Sequence, residues 1–293
     1  NPQGEQMGAV YGFATILLRI LDELKPDYLA AAFDMPGPTF RHVAYERYKA
    51  QRPEAPDELI GQFKNVRRLC KAFDIPVLER EGYEADDVIG AIADAVAKKN
   101  KDIKVIIVTG DLDTLQLVNP QISVYTMRKG LTDTMIYDEK AVKARYGLTP
   151  SRLADFKGLR GDPSDNIPGV KGIGEKTASE LLKKYGSIEK LYASLKKAKL
   201  SPSVREKLET QKDEALFSKT LATINKEVPI TLLLKDAEWR GPHGIAEVEI
   251  LFREFGFTSL MRRLGYLKKD ESIETKPAGN LFSASSAMES VSD

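Results

Sequence analysis

Residues 104–118 read KVIIVTGDLDTLQLV. The first half is a continuous β-branched run, the pattern of a strand buried on both faces of a parallel sheet. The second half sets Asp111 and Asp113 just past the strand's carboxyl end, where open parallel sheets gather ligands. Upstream, 84–98 carries Val88, Ile89, Ile92, Ala93 and Val96 at helical spacing. Short apolar runs at 28–33, 75–78 and 122–125 read as further strands, and 9–24 and 58–73 as helices. Strand and helix alternating in this way predict an α/β layer with a mostly parallel sheet and flanking helices. Past Gly147 the strands largely stop, and 150–212 reads as short helices joined by glycine-containing turns. The expected division is an α/β domain over 1–147, a helical domain over 148–266 and a serine-rich linker or tail over 267–293.

The chain has 293 residues, 42% of them hydrophobic, enough for a sizeable core. No run approaches the ~18 apolar residues of a membrane span, so a soluble protein is expected. A single cysteine, Cys70, excludes a disulfide framework. The two histidines, His42 and His243, lack zinc-ligand spacing. The net charge of +1 speaks against a nucleic-acid partner until it is divided by segment: −2 over 1–165, +6 over 166–212 and −3 over 213–293. Near-neutrality is a cancellation between an acidic half and a basic segment, an arrangement suited to holding cations in one place and phosphates in another. A solvated lysine-rich surface gives the same count.

Asp34 ends the strand at 28–33, Glu84, Asp86 and Asp87 open the helix at 84–98, and Asp162 and Asp165 lie in GDPSDN just past the boundary. With Asp111 and Asp113 these make eight carboxylates, which repel one another strongly in one cleft unless cations sit between them. Ligands that are all oxygen select hard ions such as Mg²⁺ or Mn²⁺, and two ions roughly 4 Å apart hydrolyse phosphodiesters. Each group also has an ordinary reading as a helix cap or turn residue. Those readings must all hold together to dismiss the set, so a metal site is expected.

Residues 166–178 read NIPGVKGIGEKTA. Gly169, Gly172 and Gly174 suit a tight turn with outward backbone N–H groups before a helix, a helix–hairpin–helix that grips DNA phosphate without reading bases. Lys171 and Lys176 would reinforce it. Between 39 and 52, Arg41, Arg47, Lys49 and Arg52 interleave with Phe40, Tyr45 and Tyr48, a composition suited to a single strand and equally to an amphipathic helix.

Together FDMPGPTFR, YKAQRP, GYEADDVIG, TGDLDTLQLV and GDPSDNIPGVKGIGEKTA resemble the flap-endonuclease-like 5′–3′ exonucleases, the family of the 5′-nuclease domain of bacterial DNA polymerase I. The resemblance runs from about Gly8 to about Leu264. It implies a PIN-like nuclease domain followed by a helical domain, and Mg²⁺- or Mn²⁺-dependent cutting near the 5′ end of a flap, nick or branched duplex. It implies Asp34, Glu84, Asp86 and Asp87 at a first metal position, and Asp111, Asp113 and Asp162 at a second with Asp165 close by. Tyr48, Lys49 and Arg52 are implied at the scissile phosphate, Arg41 on the DNA and K⁺ at the hairpin. It also implies a monomeric bacterial protein of the cytoplasm and nucleoid, with a polymerase domain following in the parent chain. The family's opening strand, ending in an Asp-Gly or Asp-Ser pair, has no counterpart here. On that ground a fragment is expected, with a gap in its sheet and impaired catalysis. A DNA-binding module that does not cut and a PIN-type ribonuclease are the competing readings.

Overall fold

The computed structural model describes residues 1–129, 133–241 and 245–267. His243 lies outside these residues, as does the tail expected over 267–293 except for Leu267. None of the described helices is long and apolar enough to cross a membrane.

Helix α1, Gly8–Leu24, buries Val10, Ala14, Leu17, Leu18 and Leu21, a stripe recurring every three or four residues. It stops at Lys25, whose φ of 42° is left-handed, and Pro26 follows. Strand β1, Ala31–Ala32, leads through the short α2, Phe40–Ala44, to α3, Asp57–Ala72, which packs on α1. The segment 39–52 is thus helical only at its start: Lys49 takes a φ of 54°, and 46–51 is a run of turns. Strand β2, Val77–Leu78, pairs parallel with β1. Helix α4, Ala85–Lys99, follows, with Gly90, Ala91, Ala93 and Ala97 on its buried face.

Strand β3, Val105–Val108, pairs parallel with β4, Ile122–Lys129. Strand β5, Asp133–Tyr137, which the sequence reading missed, returns antiparallel on β4. The strands therefore form two sheets, β1-β2 and β3-β4-β5, and α4 lies against both β1 and β3. Among the described residues no ladder joins the two, and β3 ends its sheet. The expectation that β3 is buried on both faces is corrected here: Ile106 is 39% exposed.

Helix α5, Glu139–Tyr146, is capped by Asp138 at one end and by Gly147 at the other. Beyond it, α6 (Leu153–Arg160), α7 (Glu175–Tyr185), α8 (Ile188–Ser194), α9 (Pro202–Thr210) and α10 (Lys212–Ala222) enclose a second core. Leu159, Ile173, Ala178, Leu182, Leu191 and Leu208 fill it. Then the chain turns back. After α11, Leu234–Ala237, helices α12 (Ile245–Glu254) and α13 (Thr258–Leu267) and the turn between them lay Phe252, Phe255, Leu260 and Leu264 among Leu17 of α1, Leu69 of α3 and Phe73 just past α3. Residues 248–264, expected with the helical domain, thus pack in the core of the first layer.

Candidate active site

The strand ends and the start of α4 bring the first acids together. Asp34, just past β1, accepts a 2.8 Å hydrogen bond from the Ala85 backbone N–H. Glu84 caps α4 in a box with Asp87, the local reason this helix opens with acids. Past β3, Asp111 caps the 3₁₀ helix Leu112–Leu117 by accepting from the Asp113 N–H at 2.8 Å. Between these groups sits Asp86. Burial, together with the charges of Asp111, Glu84, Asp113 and Asp34, pushes its carboxyl up to about 7. Five acids from three places in the sequence thus repel one another in one cleft. Asp113 is likewise raised, by burial and by Asp111 and Asp162, with Lys157 opposing.

Basic side chains thread the cleft. Tyr48, 3% exposed, donates to Glu84 at 3.1 Å and to Asp165 at 3.2 Å. Burial and the same two acids push its phenol well above the ordinary range. Lys49 Nζ lies 2.5 Å from Glu84 and 3.9 Å from Asp165, and Arg52 reaches Asp165 at 2.5 Å. Asp165, expected near the second metal position, therefore lies beside Glu84 of the first group. Asp162, 5% exposed, accepts from Ser164 and meets Lys157 Nζ at 2.5 Å. Lys157 and Ser164 hold its carboxyl below the usual range against the opposing effect of burial. The same Lys157 ammonium contacts Asp113. No three acidic, His or Cys side chains among the described residues are grouped in a geometry ready to hold an ion.

Two expectations are corrected. Arg41 is not at a DNA surface but 3% exposed. Its guanidinium grips both oxygens of Asp87 at 2.7 and 2.8 Å, touches Glu84 at 2.9 Å, and donates to the carbonyls of Leu221 and Thr223. Asp87, 0% exposed, also accepts from the backbone N–H groups of Glu84 and Asn225. No oxygen of Asp87 is left for a metal. The sequence reading missed Lys157 altogether; its only signal was a lysine five residues before Asp162 in FKGLRGD.

The hairpin forms, but much of its backbone faces inward. The N–H of Gly169 donates to Ser218 Oγ at 2.9 Å, that of Val170 to the Leu159 carbonyl, and that of Lys171 to Gln211 Oε1. Gly169 has a φ of +64°, and a Cβ there would lie 2.1 Å from the Gly161 nitrogen, so only glycine closes this turn. No protein acceptor meets the Gly172 or Gly174 N–H among the described residues. Lys171 and Lys176 stand exposed beside them. The outward phosphate grip expected of the whole turn reduces to these groups.

Residues 1–147 match the family described as 5′–3′ exonuclease, N-terminal resolvase-like domain, and residues 148–244 match the 5′–3′ exonuclease, C-terminal SAM fold. DNA polymerase I of Bacillus subtilis (strain 168) is 43% identical over 278 residues, covering 94% of this chain and 31% of the relative. The chain thus spans about a third of the length of that relative. The fold resembles that of T5 5′-exonuclease with bound zinc, at a TM-score of 0.62 and 19% identity over 87% of this chain and 89% of the other. It also resembles that of a bacteriophage T5 flap endonuclease pseudo-enzyme–product complex with DNA and metal ions, at a TM-score of 0.61 and 19% identity over 88% and 92% of the two chains.

Proposed function

Because this chain belongs to the 5′–3′ exonuclease family, we propose that it is the 5′-nuclease unit of a longer cytoplasmic DNA polymerase I. In this reading it hydrolyses phosphodiesters near the 5′ end of flapped, nicked or branched DNA with the help of Mg²⁺ or Mn²⁺. The observation that carries the reading is the convergence of Asp34, Glu84, Asp86, Asp111 and Asp113 in one cleft, where burial and the four neighbouring acids together hold the Asp86 carboxyl up to about 7. Such a set fits hard divalent ions. Asp34, Glu84 and Asp86 would hold one, and Asp111, Asp113 and Asp162 the other. Bound ions would lower the pKa of the attacking water and offset the charge developing on the phosphate. Lys49 and Arg52, tied to Glu84 and Asp165, would meet the scissile phosphate. Tyr48, which donates to the same two acids, would hold them in position.

Whatever cleavage of a 5′-labelled flap the 293-residue chain retains should require Mg²⁺, stop in EDTA and return with Mn²⁺. Tight binding of the flap without cutting would favour a DNA-binding module instead. A fully active Asp111→Ala variant would remove the ligand assignment.

The hairpin supports duplex binding through Lys171, Lys176 and the open N–H groups of Gly172 and Gly174, and K⁺ there belongs to the same reading. Changing both lysines to alanine should weaken duplex affinity regardless of sequence and flatten the plot of log affinity against log salt by about 1 to 2. Fluorescence anisotropy across a salt series measures that slope. An unchanged slope would place the DNA elsewhere.

A further inference from the structure

Lys157 stands out because the reading of the site above leaves it without a role. It projects from α6 of the helical domain, yet its ammonium contacts Asp113 of the first layer and lies 2.5 Å from Asp162 at the foot of the hairpin. Its side chain is 15% exposed. Two carboxylates from different parts of the chain, Asp113 and Asp162, thus meet one cation.

Resting on the metal reading above, we propose that Lys157 is a resident counter-cation at the second metal position, one that must swing aside before a divalent ion can bind. One ammonium partly neutralises Asp113 and Asp162 and keeps the two halves of the cleft together while no ion is bound. The same contact competes with the ion for the same oxygens. A ligand whose site is free only a fraction of the time binds more weakly by that fraction, so Lys157 sets the threshold of ion occupancy. Lys157 is therefore a positioning residue, acting through Asp113 and Asp162, and its displaced ammonium remains within the cleft as a tethered positive charge.

The test titrates Mn²⁺ into the full 293-residue chain without DNA, following free Mn²⁺ by electron paramagnetic resonance, and records melting curves in EDTA. Lys157→Met should bind Mn²⁺ about tenfold tighter at one site and melt at a lower temperature than the parent in EDTA. Its melting temperature should also rise more when Mn²⁺ is added. Lys157→Gln, which keeps a hydrogen-bond donor without the charge, should do the same and serves if the methionine variant does not fold. Mn²⁺ affinity that is unchanged or weaker in the folded variant would overturn the role of Lys157 while leaving the metal site standing. A parent chain that takes up no Mn²⁺ would overturn the metal reading, and this inference with it.

Discussion

Replacing Asp86 by asparagine should raise the melting temperature in EDTA at pH 8 while greatly slowing Mg²⁺-dependent cleavage. The native carboxyl titrates near 7, against about 3.9 in the unfolded chain. Between those values the native state holds a proton that the unfolded chain has released, so stability falls as pH rises from about 4 to about 7 and stays low above. The full shift corresponds to roughly 4 kcal/mol at most, and screening in the cleft lowers that figure. Asparagine keeps the shape and removes the charge. The variant should therefore lose this pH dependence and melt a few degrees higher than the parent at pH 8, with little difference at pH 4. Cleavage should fall about 10³-fold, the scale for losing a group that places charge stabilisation at a reacting phosphate. A variant that melts lower at pH 8 would mean that the acids do not repel as described. This is a site in which function is held against stability.

Arg41→Ala should destabilise the chain by about 3–5 kcal/mol, because it leaves the fully buried Asp87 charged and without its main partner. It also removes donors from the Leu221 and Thr223 carbonyls. Urea unfolding followed by circular dichroism measures the loss. The companion Asp87→Ala should also be severe, yet the double variant should cost clearly less than the two together, as pairs in direct contact do. A loss below about 1 kcal/mol in Arg41→Ala would sink the view of Arg41 as a strut.

The difference between these two acids was invisible in the sequence. Asp86 and Asp87 are adjacent at a helix start, and any pattern reading treats them alike. A single step along the helix turns one toward the cleft and the other toward Arg41, a partner 46 positions away. Local signals served well where the cause is local. The β-branched run at 105–108 is a parallel strand with Asp111 and Asp113 past its end, and the caps of α4 are as expected. Lys157 escaped because its meaning comes from Asp113, 44 positions away. Strand β5 escaped because a polar-edged strand at the margin of a sheet has no strong pattern. The inward turn of the Gly169 N–H depends on Ser218, which lies on another helix.

The path of the chain between its two cores has a consequence for cooperativity. The polypeptide leaves the first layer after α5, builds the helical domain, and returns along residues that dock one by one. Ile224 donates to Gln116, Asn225 to Asp87, and Trp239 to the Asp27 and Phe73 carbonyls before α12 and α13 close the first core. The helical domain is thus held at both ends by the body it extends, like an insertion. Calorimetry of the chain should then show one transition, and residues 1–147 expressed alone should expose the apolar faces of α1 and α3 that the returning helices cover. Loosening either body would be felt by the carboxylates at the seam.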